Sequence, residues 1–122
     1  MHEFSLCEGI IKQVSRANNE ILDNVSQIKI EIGKLSGVDV ESLVFWFPVV
    51  AEKLACGQIQ LEVAEIEGLA LCAKCNQQFA LINLYDACSH CQSYGDYQIL
   101  QGRELLVKSF SLISYTQPDS SS

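Results

Sequence analysis

The chain has 122 residues, of which 48% are hydrophobic, which suits one compact domain with a sizeable core and room for a small appendage. Eight basic against fifteen acidic residues give a net charge of −7, which would repel the phosphates of a nucleic acid. No run approaches the roughly 20 apolar residues of a membrane span, and an acidic residue stands where a signal peptide would have basic ones. A cytoplasmic protein without nucleic-acid or membrane partners is therefore expected.

The first part of the chain predicts a helix followed by a strand. From Phe4 to Leu22 the apolar residues recur at steps of three and four, with polar and charged residues between them, which indicates an amphipathic helix. The stretch SQIKIEIGKL then alternates isoleucine with charged residues, and Gly33 marks its end. This alternation is typical of a strand with one buried face.

A second helix is predicted over VDVESLVFWFPVVAEKLACG. Asp39 or Ser36 could cap its first turn, a dense apolar face follows, and Gly57 would end it. Because Pro48 lies well inside this segment, we expect the helix to bend there or to be shorter than the pattern indicates. A second strand is predicted over QIQLEVAEIE, which again alternates apolar and polar residues.

The last part of the chain predicts a third strand over GRELLVKSFSLISY and then a polar tail. The order of elements favours an α+β fold, in which a three-stranded sheet is packed by two helices and carries an inserted zinc-ribbon-like lobe. We expect a discontinuous helix and sheet domain over 1–65 plus 99–115. A zinc-binding lobe should span 66–98, and a disordered tail 116–122.

Four of the six cysteines form two Cys-x-x-Cys pairs with twelve residues between them, namely Cys72 with Cys75 and Cys88 with Cys91. In a reducing compartment this pattern indicates a metal site rather than disulfides. Each two-residue spacing lets one tight turn aim two thiolates at a single point, and the loop between the pairs lets the second turn complete a tetrahedron. Four thiolates leave no open position, so we expect a structural Zn²⁺ ion whose binding folds the lobe.

Other readings of the cysteines and histidines are weaker. Iron in a rubredoxin-like site is the competing metal, since tetrahedral sulfur suits both ions, and a redox disulfide is the alternative for either pair taken alone. His90, inside the second pair, is expected to be a solvated loop residue rather than a ligand that exchanges into the site. Cys7 and Cys56 are spaced as small apolar residues on helix faces. With no phosphate-binding loop and no nucleophile elbow, the chain is not expected to be an enzyme.

Four short stretches occur in an order that is specific as a set. They are MHE at the start, IEIGKLSGV after the first predicted strand, CGQIQLEV before the cysteine segment, and the paired Cys-x-x-Cys motifs. Together they resemble the HypA/HybF family of nickel metallochaperones for [NiFe] hydrogenase maturation, over nearly the whole chain from Met1 to about Ile113. Two departures are visible: Ser89 stands where many members have proline, and Pro48 interrupts a helix that is usually continuous.

The resemblance implies a cytosolic metallochaperone with a structural zinc lobe and a separate nickel site. Matched residue by residue, Met1, His2 and Glu3 correspond to the nickel-binding start, and the four paired cysteines correspond to the zinc ligands. Asp39 falls where members commonly have an acidic residue that could approach the nickel, although it suits a helix N-cap at least as well. The implied partners are a nickel-insertion GTPase and the [NiFe] hydrogenase large subunit precursor, and the chain could be a monomer or a homodimer.

The chemistry of the N-terminus supports a nickel chelate independently. Nickel(II) takes planar nitrogen sets readily, and the α-amine of Met1, the imidazole of His2 and nearby backbone amides lie within a few bonds of one another. A helix N-terminus disfavours a cation, but a deprotonated amide becomes an anionic ligand, and Glu3 would add its amide or a compensating charge. The rival hypothesis is a zinc-ribbon module that binds another protein and carries no mobile metal.

Overall fold

The computed structural model describes residues 2–54 and 58–113, and for His2 it describes the backbone alone. Two helices and six strands lie in this part of the chain. They are α1 (His2–Ala17), β1 (Val25–Gly33), α2 (Val40–Lys53), β2 (Gln60–Ile66), β3 (Leu69–Cys72), β4 (Gln78–Ala80), β5 (Tyr97–Gln101) and β6 (Leu105–Leu112). Neither described helix is long and apolar enough to cross a membrane. The predictions for Cys56, Gly57 and the tail over 116–122 lie outside the described residues.

The described strands form two three-stranded sheets. The three strands predicted from alternation, β1, β2 and β6, make one sheet in the order β2-β1-β6. The other sheet has the order β4-β3-β5, with β3 antiparallel to both neighbours. The α+β class is therefore confirmed. The second sheet was not predicted, because strands of three to five residues are too short to show a clear alternation.

The chain divides into two compact units. The first comprises Met1–Lys29, Glu41–Glu62 and Val107–Ser122, and the second comprises Ile30–Val40 and Val63–Leu106. All of α1 and nearly all of α2 belong to the first unit, whereas the β4-β3-β5 sheet belongs to the second. The domain boundaries inferred from the sequence stay a prediction.

The first helix ends earlier than predicted. The apolar spacing continues to Leu22, but α1 stops at Ala17. Asn19 and Glu20 have positive φ angles of 57° and 66°, and the N–H of Glu20 donates to the carbonyl of Ser15 at 2.7 Å. A left-handed residue after the last turn closes a helix, and asparagine adopts that conformation more readily than most residues. The left-handed turn therefore ends the helix, although the apolar periodicity continues beyond it.

The second helix runs through its proline. α2 spans Val40–Lys53 with Pro48 inside, so the helix does not end at the proline. Proline has no N–H, which leaves the carbonyl of Val44 without its helical donor. Both residues lie on the exposed side of the helix, where solvent can compensate for the lost hydrogen bond. The opposite side of the helix is buried through Leu43, Phe47, Val50 and Ala51.

Cys7 belongs to the core of the first unit, as its spacing predicted. It is fully buried, and its thiol donates to the carbonyl of Leu43 at 3.5 Å. Burial, with a smaller effect of the Glu3 carboxylate, raises the pKa of the Cys7 thiol to about 11. A protonated, buried thiol behaves as a small hydrophobic side chain rather than as a nucleophile or a metal ligand.

Two glycines permit a close crossing of the chain in the second unit. A Cβ atom on Gly68 would collide with the carbonyl oxygen of Leu81 and with the side chain of Leu35. A Cβ atom on Gly102, which has a φ of 117°, would lie 2.7 Å from the Cα atom of Gly68. The carbonyl of Gly68 also accepts a hydrogen bond from the N–H of Leu81 at 2.9 Å. The backbone segments approach so closely here that no side chain fits between them.

We predict that Gly68→Ala destabilises the folded protein by about 1–3 kcal/mol, because the new methyl group overpacks a site walled by backbone. The measurement is thermal and denaturant unfolding of the zinc-loaded protein. Gly9→Ala is the matched control, since a Cβ atom there meets nothing within 4 Å and α1 should gain roughly 0.5–1 kcal/mol. Equal stabilities of the two variants would contradict the close crossing.

Candidate metal centre

The structure brings Cys72, Cys75, Cys88 and Cys91 together. Their Sγ atoms all lie within 4.8 Å of one another. The Cys72 and Cys91 sulfurs are 3.6 Å apart, and those of Cys75 and Cys88 are 3.7 Å apart. A disulfide would require about 2.05 Å, whereas a tetrahedral zinc–sulfur shell with bonds of about 2.3 Å spaces its sulfurs by about 3.8 Å. The cluster therefore has the dimensions of a tetrahedral sulfur site.

A tight turn with two backbone hydrogen bonds holds the first pair, Cys72 and Cys75. The N–H of Asn76 donates to the carbonyl of Cys72 at 2.9 Å, and the N–H of Cys72 donates to the carbonyl of Gln77 at 2.9 Å. Asn76 has a φ of 60°, a left-handed conformation that asparagine tolerates well. The chain thus reverses immediately after Cys75, and both thiols of the pair point to the same side.

The second pair repeats this geometry. The N–H of Gln92 donates to the carbonyl of Cys88 at 2.9 Å, and the N–H of Cys88 donates to the carbonyl of Ser93 at 2.9 Å. Gln92 has a φ of 65°. The two turns therefore use the same pair of backbone hydrogen bonds and the same left-handed position after the second cysteine. This matches the expectation that each two-residue spacing aims two thiols at one point.

Ser93 is a residue of the site that the sequence analysis missed. Its Oγ lies 3.6 Å from the sulfur of Cys72 and 3.3 Å from that of Cys91. The backbone amide of Cys75, followed by the Ser93 hydroxyl, lowers the pKa of Cys72 to about 6. The Ser93 hydroxyl is the main cause of the lowered pKa of Cys91. Its position two residues after a ligand pair was the signal available in the sequence.

The close spacing of the four sulfurs opposes the ionisation of all four thiols together. The amide of Gln77 favours the Cys75 thiolate, yet burial and the neighbouring thiols outweigh it and raise the pKa of Cys75 to about 12. Like charges held this close disfavour each other's ionisation. A divalent cation removes this conflict, because it compensates the charge and replaces the protons. The donor set and its spacing therefore fit a structural zinc ion, which would be held by all four cysteines.

His90 is not part of the sulfur cluster. Its imidazole Nε2 lies 3.1 Å from the carbonyl oxygen of Gln78, and its backbone N–H donates to the sulfur of Cys88 at 3.3 Å. The residue is exposed. The arrangement agrees with a loop histidine whose backbone, rather than whose ring, supports the site.

An apolar cluster holds the two cysteine turns in place. Cys72 and Cys88 are buried in it, and its other buried members are Leu35, Ala70, Phe79 and Leu81. The rings of Phe79 and Tyr97 meet edge to face with centroids 5.7 Å apart, and the Tyr97 hydroxyl donates to the carbonyl of Leu84. Leu35 comes from the distant segment after β1, so its membership could not be read from the cysteine motif.

The residues predicted for nickel are only partly within the described chain. Met1 and the side chain of His2 lie outside it. α1 begins at His2, so the amide of Glu3 belongs to the first helical turn. Asp39 is exposed and directly precedes α2, and it belongs to the second unit, whereas Glu3 belongs to the first. The nickel ligands therefore stay a prediction.

Known proteins are similar to this chain in sequence and in fold. A family model described as "Hydrogenase/urease nickel incorporation, metallochaperone, hypA" matches residues 1–112. The chain belongs to the HypA family. The hydrogenase maturation factor HypA of Francisella philomiragia is 41% identical over 109 residues, which cover 89% of this chain and 96% of that protein. The HypA of Chlorobium phaeobacteroides is 37% identical over 113 residues, which cover 92% of this chain and 99% of that protein.

Solved structures of HypA proteins have the same fold. The solution structure of the Ni metallochaperone HypA from Helicobacter pylori aligns with a TM-score of 0.61 at 23% identity, covering 92% of this chain and 97% of that chain. A second HypA solution structure aligns with a TM-score of 0.59 at 26% identity, covering 93% and 97%. The resemblance found from the sequence motifs is confirmed, and the family description names a metallochaperone.

We predict that Cys72→Ala reduces bound zinc from about one equivalent to almost none and unfolds the second unit, because three thiolates no longer close the shell. Metal analysis measures the zinc, and amide hydrogen exchange locates the unfolding. Cys7→Ala is the matched control, since it removes a buried thiol of the first unit that takes no part in the cluster. Full zinc content in Cys72→Ala would remove Cys72 from the site.

We predict that Ser93→Ala weakens zinc binding by about tenfold or more, which is the usual effect of losing a hydrogen bond to a metal ligand. The hydroxyl lowers the pKa of Cys72 and Cys91, so its loss raises both, and protons then compete with zinc at a higher pH. The pH of half-release should increase by a few tenths of a unit. Ser89→Ala, in the same turn, is the control, and release of zinc by Ser93→Ala at the wild-type pH would contradict the role.

Proposed function

We propose that the chain is a nickel metallochaperone. It binds Ni²⁺ at its N-terminus and delivers it, together with a partner GTPase, to the large subunit precursor of a [NiFe] hydrogenase in the cytoplasm. The observation that carries this proposal is membership of a family described by nickel incorporation, with a match that begins at the first residue of the chain. That description includes urease as well, but the relatives compared above are named as hydrogenase maturation factors, which favours a hydrogenase as recipient.

Zinc has a structural role in this proposal. Cys72, Cys75, Cys88 and Cys91 would complete a tetrahedral shell, and a closed shell offers no coordination position to a second metal or to a recipient protein. The cargo therefore needs ligands elsewhere. Among the described residues no other group of three or more histidine, cysteine or acidic side chains is arranged to hold a metal ion.

The N-terminus supplies a ligand set of a different kind. The α-amine of Met1 and the imidazole of His2, with the His2 amide between them, would form fused chelate rings of the type that nickel(II) accepts. Because α1 begins at His2, the amide of Glu3 belongs to the first helical turn and lies next in the chain after His2. Glu3 would supply that amide or a compensating charge.

Asp39 has a secondary place in the proposal. It is exposed and immediately precedes α2, a position that suits both a helix cap and an additional carboxylate ligand. We assign it as an accessory group that could approach the nickel, with helix capping as the competing role.

Delivery requires release, and the chain carries no phosphate-binding loop with which to use GTP itself. The energy for directional transfer would come from the partner GTPase. A chelate assembled from the chain terminus needs no enclosed cavity, so a recipient can replace its ligands one at a time. A carrier must keep its fold each time it loses its cargo. A nickel site that exchanges its ion, together with a closed zinc site that does not, would suit such a carrier.

We predict that His2→Ala abolishes specific nickel binding, and that extra residues placed ahead of Met1 do nearly the same although every side chain remains. Both changes remove one nitrogen ligand from the chelate. Isothermal titration of the zinc-loaded proteins with nickel is the measurement. Imidazole and amine have ordinary pKa values of about 6.5 and 7.7–8.0, and each must lose a proton to bind, so nickel affinity should decrease steeply below neutral pH.

His90→Ala is the matched control, since it removes the other of the two histidines from a site that should not hold nickel. Zinc content should be unchanged in all three variants. Full-strength nickel binding by His2→Ala and by the extended protein would exclude the chelate. Absence of any second metal equivalent in the wild-type protein would instead favour the protein-interaction module.

A further inference from the structure

The outer side of α2 is apolar, although it faces solvent. Phe45 is 67% exposed, Val44 49% and Val49 45%. Pro48 is exposed as well. These four positions follow helical spacing and lie opposite the buried side of the helix, where a surface helix normally carries polar residues. We call them the α2 stripe.

Phe45, the aromatic residue of the stripe, contacts the ring of Trp46, which in turn contacts Phe4. Trp46 meets Phe45 with centroids 5.2 Å apart and an interplanar angle of 87°, and it meets Phe4 at 5.6 Å and 73°. The ammonium group of Lys53 lies 5.5 Å from the centroid of Phe4. A large aromatic side chain that is already fixed in place loses little conformational entropy on binding. Phe45 is therefore suited to anchor a partner.

Acidic residues frame the stripe at both ends. Glu41 precedes Phe45 by four residues and Glu52 follows it by seven, so all three lie on the same side of the helix. Both glutamates are exposed. Lys53 is the only basic residue of α2, and it is placed over Phe4 instead.

We propose that the α2 stripe is the docking surface for a basic amphipathic helix of another protein. Two turns of exposed apolar side chains match the i, i+3 and i+4 anchors of such a helix. Lysine or arginine residues beside those anchors would meet Glu41 and Glu52, which steers association and sets the orientation. The proposal does not depend on the nickel site.

Charge and composition disfavour the other occupants. A second copy of this chain also has a net charge of −7, so the two copies would repel each other. Glu41 and Glu52 of one copy would face glutamates of the other. The surface of an anionic membrane would be repelled for the same reason. The end of the chain, TQPDSSS, has no hydrophobic residue to fill the stripe and adds an aspartate.

The test uses a labelled synthetic peptide of 18 residues with leucine along one helical face and lysine elsewhere, titrated into the zinc-loaded full chain. Fluorescence anisotropy of the label gives the affinity, and emission of Trp46, the one tryptophan of the chain, should shift to shorter wavelength on docking. Phe45→Ser and Val49→Ser should each weaken binding by about tenfold or more. The pair Glu41→Gln with Glu52→Gln should weaken it and reduce its salt dependence.

Tyr85→Ser is the matched control, because Tyr85 is 89% exposed but lies in the second unit. The peptide should bind Tyr85→Ser with the same affinity as the wild type. A scrambled peptide of the same composition should bind weakly to every variant. Undiminished peptide binding by both Phe45→Ser and Val49→Ser would overturn the proposal. A dimer in sedimentation velocity, or binding to phosphatidylglycerol vesicles, that Phe45→Ser abolishes would also overturn it and assign the stripe to that occupant.

Discussion

The charge of four sulfur atoms confined within a few ångströms is the constraint on which the second unit depends. Its sheet is made of strands of three to five residues, and the apolar cluster around its cysteines has six buried members among the described residues, two of which are cysteines. So small a core supplies little stabilisation by itself. Once a cation compensates the thiolates, the two cysteine turns are held to each other, and the apolar side chains of Leu35, Phe79 and Leu81 can remain packed around them.

The first unit is stabilised differently, by ordinary burial of helix faces. Five side chains are almost wholly buried, and their burial stabilises the unit: Cys7, Ile11 and Val14 of α1, and Leu43 and Phe47 of α2. α2 is unusual because it is apolar on its exposed side too. The exposed part of these side chains buries no apolar area in the isolated chain, and the proposed docking would bury it.

The proposed function places opposite demands on the two metals. A structural ion must not exchange, and a shell of four thiolates with supporting donors such as Ser93 and the backbone of His90 meets that demand. A cargo ion must exchange, and ligands at the chain terminus permit this because recipient groups can approach them from solvent.

The sequence by itself determined the two helices, the strands β1, β2 and β6, and the meeting of the four cysteines, because each of these depends on local periodicity or on the spacing within one turn. The family was also recognisable from short motifs. Only the tertiary structure decided that Ser93 serves two sulfurs, that Leu35 packs against the cysteine turns, and that three short strands form a second sheet. These features depend on contacts between residues far apart in the chain, and such contacts leave no periodic signal in the sequence.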